Sequence, residues 1–119
     1  MSSLPVVDLE AIENLRALSP GDGDVFLKEI LGIFLEDMPV RIAELHRSNA
    51  ANDAESFIRA AHSIKGSSSN VGAAEVRAIA ETLEHHSRKQ GIAGQEAQIA
   101  QLEAAYARAK VELEKLLAA

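Results

Sequence analysis

His62, Lys65 and Gly66 stand at positions i, i+3 and i+4 of a segment with helical periodicity, and at about 100° per residue they share one side of it. Within about 60° of His62 on the same wheel lie Glu55, Ile58, Arg59 and Ser69, so one face combines an imidazole, two cations, an apolar side chain and a glycine. The apolar positions Phe57, Ala60, Ala61, Ile64, Ser68 and Val71 gather on the opposite side, which predicts that His62 faces water. A solvated histidine or lysine means nothing by itself; the grouping does. Gly66 costs a helix about 1 kcal/mol relative to alanine, and the missing Cβ leaves room for a group on the ring or for another chain to approach. The alternative is that Gly66 ends the helix early, with Ser67 to Ser69 as loop. An exposed imidazole, with a reference pKa of about 6.5, keeps a lone pair at neutral pH, and a nearby cation can neutralise an anionic adduct. Reversible phosphorylation on nitrogen asks for those features. An acceptor on the second ring nitrogen would fix the tautomer, and spacing alone leaves open which carboxylate supplies it.

The elements that must position this face are helices. Ala, Leu and Glu number 47 of the 119 residues against 17 for Val, Ile and Thr, and aromatics are 3%, which argues against a β-sandwich or barrel. A chain of this length suits a single domain, 1–119. A first short helix is expected over about 8–18, with Asp8 as N-cap and Leu9, Ile12, Leu15 and Leu18 as its apolar side, stopped by Ser19-Pro20-Gly21. A second starts near Asp22 or Asp24 and carries Leu27, Ile30, Leu31, Phe34, Leu35, Met38, Ile42 and Leu45 in phase across Pro39. One long helix kinked at Pro39 is expected, with a break into two as the alternative. Asn52 and Glu55 resemble a capping box opening the third helix, which runs to about Ser69 before Asn70-Val71-Gly72. The fourth spans about Ala73 to Arg88, with Val76, Ile79, Ala80 and Leu83 toward a core, and Gln90 to Gly94 form a loop. The fifth places Ile99, Leu102, Tyr106, Ala109, Leu113 and Leu116 at spacings of three and four. The fold class is therefore all-α: an antiparallel four-helix bundle with its core over about 22–117 and the additional N-terminal helix against one end.

The stretch Ala61-His62-Ser63-Ile64-Lys65-Gly66-Ser67-Ser68-Ser69-Asn70-Val71-Gly72-Ala73, continued by Leu83-Glu84, resembles the histidine-containing phosphotransfer (Hpt) domain of phosphorelays. That family's pattern is His, any residue, an aliphatic, Lys, Gly, two small residues, a glycine some four positions on, and a Leu-Glu or similar pair in the next helix. The resemblance covers helices two to five. It implies a four-helix bundle that carries a phosphoryl group on Nε2 of His62, exchanged with the aspartate of a receiver domain. By the same resemblance Lys65 contacts the phosphoryl oxygens, Gly66 gives the receiver access, and Glu84 hydrogen-bonds the other ring nitrogen. Ile58, Arg59, Gly66 and Ser69 are the expected receiver-binding residues. On its own wheel Glu84 sits about 80° from the centre of the apolar stripe; its other reading is a surface glutamate paired i, i+4 with Arg88.

The resemblance implies a phosphoryl carrier and not an enzyme. Nothing resembles a Gly-rich nucleotide loop, and a kinase dimerisation helix would show His followed by Glu and a later Pro. No cofactor is expected on this chain; Mg²⁺ would sit on the partner receiver. The expected partners are response-regulator receiver domains and a sensor or hybrid histidine kinase. The competing class is a helical interaction module that docks on a signalling partner without being phosphorylated. A net charge of −6 with few aromatics argues against nucleic acid. His46, His85 and His86 form no i, i+4 pair, so no metal site is expected. The absence of cysteine excludes disulfides and thiolate metal sites. With no basic-apolar leader and no run of about 18 apolar residues, a cytoplasmic protein is expected, off the membrane. Met1 and the length favour a stand-alone protein over a domain of a hybrid kinase, and a monomer is expected.

Overall fold

The computed structural model describes residues 4–118; residues 1–3 and 119, the extremes of the expected domain, lie outside the described residues. Five helices follow one another: α1 (Leu9–Ala17), α2 (Val25–Ala50), α3 (Ala54–Asn70), α4 (Ala74–Gln90) and α5 (Glu96–Ala118). Among the described residues there is no strand. Short connections make α2 to α5 antiparallel neighbours. The packing runs α2 on α3, α3 on α4, α4 on α5 and α5 back on α2, which closes a four-helix bundle, and α1 rests on α2.

The apolar stripes account for the closure. Leu27, Leu31, Phe34, Met38, Ile42 and Leu45 of α2, Phe57, Ala60, Ala61 and Ile64 of α3, Val76, Ala80 and Leu83 of α4, and Ile99, Leu102, Tyr106, Ala109 and Leu113 of α5 are all buried in one core. Val71, just past the end of α3, joins them. The Tyr106 ring meets Phe34 edge-on at 6.0 Å, and its hydroxyl donates to the Leu35 carbonyl at 3.3 Å. Pro39 does not split α2, which runs unbroken through it; Met38 and Ile42 on either side stay in the core.

Two local expectations need correction. Asn52 does not cap α3. It takes φ +55°, and Asp53 is the cap, its carboxylate accepting from the Ser56 amide at 3.2 Å and the Ser56 hydroxyl at 2.7 Å. Aspartate reaches the free amide one residue later, and Glu55 turns outward to Arg59 instead of closing a box. In α1 only Ile12 is buried; Leu9 and Leu18 remain 67% and 70% exposed, because a nine-residue helix lying on one end of the bundle covers only its middle. Asp8 caps α1 as expected, accepting from the Glu10 amide at 3.0 Å.

The α3–α4 turn is where α1 is fastened. The Asp8 amide donates to the Gly72 carbonyl at 2.7 Å. Gly72 has φ +72°, and a Cβ there would stand 2.8 Å from both Ala11 Cβ and the Asp8 carbonyl oxygen. Glycine supplies both the left-handed backbone and the space.

Candidate functional site

α3 carries His62 near its middle and α4 presents Glu84 across the helix pair. The α3 stripe points inward as the wheel predicts: Phe57, Ala60, Ala61, Ile64 and Ser68 are buried, which turns His62 out with its side chain 62% exposed. Gly66 neither ends nor frays the helix, which continues to Asn70, and nothing lies within 4 Å of where its Cβ would be. One turn from the ring, the helix surface is bare.

Glu84 departs from the reading of a surface residue. Its side chain is 8% exposed, and its two oxygens are unequally used. Oε2 accepts from His62 Nδ1 at 2.9 Å and from Arg88 at 2.8 Å (Nη2) and 3.2 Å (Nε). Lys65 Nζ lies 2.9 Å from Oε1 and forms an ion pair with it. The expected i, i+4 pairing with Arg88 and the expected bond to the histidine therefore occur on one carboxylate. Burial pushes the Glu84 carboxyl up, but bonds from Lys65, Arg88 and His62 outweigh it and hold the group at about 2. The carboxylate is ionised throughout the neutral range. Holding a proton on Nδ1 leaves the lone pair on Nε2 of a ring that is largely exposed.

The remaining expected residues distribute unevenly. Ile58 and Arg59 line an open cleft with Glu55, His62 and Arg88. Ile58 is half-buried, not fully in water, while Arg59 is exposed and bonded to Glu55 at 3.0 Å. Ser69 is exposed farther down α3 and is not among the cleft-lining residues. Lys65, expected to meet a phosphoryl group, rests on Glu84 in this unphosphorylated chain. Arg88 is the site residue that the sequence treated only as a surface partner; its i, i+4 spacing from Glu84 was the available signal. A larger groove at the α2–α3 turn, lined by Glu44, Arg47, Ser48, Ala51, Asp53 and Ser56, holds no imidazole and no comparable charge relay. Among the described residues no group of three or more His, Cys, Asp or Glu side chains could hold a metal, and no helix is long and apolar enough to cross a membrane.

Solved phosphotransfer proteins share the fold that carries this site. Histidine-containing phosphotransfer protein B (HptB) from Pseudomonas aeruginosa is 28% identical, with a TM-score of 0.86 over 98% of this chain and 96% of that one. The histidine-containing phosphotransfer protein MtHPt2 from Medicago truncatula is 25% identical, with a TM-score of 0.81 over 93% of this chain and 76% of that one. The Hpt domain of a sensor hybrid histidine kinase from Shewanella shares the fold, at 16% identity and a TM-score of 0.72 over 93% of this chain and 97% of that one. No curated protein sequence matches the chain. The Hpt domain family model matches residues 29–112, which takes in His62, Lys65, Gly66, Glu84 and Arg88, and the chain belongs to the Hpt domain family.

Proposed function

We propose that His62 is the phosphoacceptor of a phosphorelay intermediate, taking a phosphoryl group from a receiver-domain aspartate and passing it to the aspartate of a response regulator. The observation that carries this reading is the Nδ1 contact of 2.9 Å to a buried, ionised Glu84 on a ring that is 62% exposed. With the proton held at Nδ1, the Nε2 lone pair attacks phosphorus in line. The N–P bond forms as the bond from phosphorus to the aspartyl oxygen breaks, and the carboxylate departs on the partner. The ring gains positive charge as it becomes phosphorylated, and Glu84 stabilises it. Lys65, now ion-paired with Oε1 at 2.9 Å, would turn from it to the phosphoryl oxygens. Gly66 lets the partner's backbone approach, and Ile58, Arg59 and Ser69 belong to the docking face. Mg²⁺ would be held by the receiver, where it would offset the charge of the aspartyl phosphate, and no ATP site is expected on this chain. Hpt domains are phosphocarrier modules of two-component phosphorelays, acting with histidine kinases and response regulators; a monomeric, cytoplasmic carrier that binds neither nucleic acid nor membrane is the form this reading takes here.

The test is to mix the protein with phosphorylated receiver domains and follow the label. Acid-labile, base-stable label on the wild type is expected, and none on His62→Gln, whose folding stays within about 0.5 kcal/mol of wild type because the ring is exposed. Label that persists in the variant, or absence of label with every receiver, rejects the reading and leaves a helical docking module.

A further inference from the structure

Two cations sit on Glu84, yet the transfer just described uses only one of them. We propose that Arg88 is a positioning residue: it clamps the Glu84 carboxylate so that Oε2 faces His62 Nδ1, and it offsets enough of that carboxylate's charge to preserve a lone pair on Nε2. The proposal deepens, and rests on, the reading of His62 as phosphoacceptor.

The geometry separates Arg88 from Lys65. Arg88 donates two bonds, from Nε and Nη2, to the same oxygen that accepts from Nδ1. A planar guanidinium held by two donors fixes the direction of the carboxylate in a way one ammonium cannot. Lys65 meets the other oxygen through a single contact and must leave it to reach a phosphoryl group. Arg88 therefore stays on Glu84 while Lys65 moves.

Charge gives the second half of the argument. A carboxylate alone beside an imidazole favours the imidazolium, in which both nitrogens are protonated and neither is a nucleophile. Two cations on that carboxylate counter the pull. The surrounding charges do not supply a substitute. On α3, Arg59 is engaged with Glu55. On α4, Glu81 pairs with Arg77, and His85 is exposed. On α5, Glu103 pairs with His46 of α2, and Arg108 with Glu75. The cations placed against Glu84 are Lys65 and Arg88.

The test uses phosphoramidate as donor, so that no receiver enters the measurement. The Nε2 lone pair forms the new N–P bond while the donor's P–N bond breaks and its nitrogen leaves as ammonia. Rates of His62 labelling are compared for wild type, Arg88→Ala and Arg88→Lys between about pH 5.5 and pH 8.5, with helical circular dichroism checking that each is folded. Arg88 is more than half exposed, so neither change opens a core cavity. Arg88→Ala is expected to match wild type at the alkaline end and to fall about three- to tenfold behind it near pH 6.5, moving the acid limb of the profile upward; Arg88→Lys recovers most of the difference. Superimposable profiles, or a uniform loss at every pH, overturn the proposal. Ring ¹⁵N spectra of the unphosphorylated proteins decide the same point without any donor. A larger imidazolium fraction in Arg88→Ala than in wild type at one pH supports it, and equal fractions refute it. Failure of wild type to be labelled on His62 would instead count against the phosphoacceptor reading.

Discussion

Glu84→Gln removes one charge from the centre of the site while keeping its shape, and its effect on stability should depend on pH in a defined direction. The Glu84 carboxyl falls from an ordinary 4.5 to about 2 in the folded chain. A group whose folded value is depressed stabilises the native state above its unfolded value and loses that contribution as pH falls toward the folded one. At about 1.4 kcal/mol per pH unit, the full shift corresponds to an upper bound of about 3.5 kcal/mol. Two of the three partners weaken that figure, because His62 and Arg88 are 62% and 56% exposed and their side of the interaction is screened by water. A loss of about 1 to 2 kcal/mol at neutral pH is the reasoned expectation. The assay is urea unfolding followed by helical circular dichroism at steps from about pH 7 to about pH 2.5. The gap between variant and wild type should be constant down to about pH 5, then close across the interval from 4.5 toward 2. A gap that stays the same down to pH 3, or that widens in acid, would show that the carboxylate is not held ionised by its neighbours. In the phosphotransfer assay the same variant should slow acceptance, since a neutral amide orients the ring but stabilises its developing charge less.

The two glycines of the motif should respond oppositely. Gly66→Ala, in open space inside a helix, should raise stability by about 0.5 to 1 kcal/mol in urea unfolding, whereas Gly66→Phe should leave the fold intact and slow exchange with a receiver several-fold. Gly72→Ala should cost about 2 kcal/mol or more, because it must relieve a 2.8 Å contact and a left-handed backbone together, and it should loosen α1 as read by amide exchange. Ile58→Glu should weaken binding to a receiver at least fivefold by calorimetry while unfolding within about 1 kcal/mol of wild type; unchanged affinity would remove Ile58 from the docking face.

The bundle was legible because its information is periodic. Leu27 through Leu45 and Ile99 through Leu113 repeat at spacings of three and four, and each such residue is buried or half-buried in the folded chain. The failures lie where periodicity gives way to individual geometry. Leu9 and Leu18 fit the α1 pattern but stand in water, since how far a short helix extends over its neighbours is not encoded in its own sequence. The choice between Asn52 and Asp53 as cap turned on one backbone angle, φ +55° at Asn52. Gly66 and Gly72 illustrate the same limit from the other side: both belong to one motif, yet the first leaves a surface bare and the second admits α1.

For the site, direction was legible and depth was not. A helical wheel fixes an angle, which placed His62 outside and put Glu84 at the margin of the α4 stripe. It cannot say that a marginal position on α4 is sealed by α3 lying against it, and that seal makes Glu84 a buried carboxylate in place of a solvated one. Burial then decides the chemistry. In water, an Arg88 pair at i, i+4 would be worth a few tenths of a kcal/mol and would carry no function. At 8% exposure the same pair, joined by Lys65 and His62, keeps the acid ionised to about 2 and directs one of its oxygens at a ring nitrogen. The two readings of Glu84, surface partner of Arg88 and acceptor for the second ring nitrogen of His62, were alternatives only while the packing of α3 on α4 was unknown; once the helices close, both hold on one carboxylate.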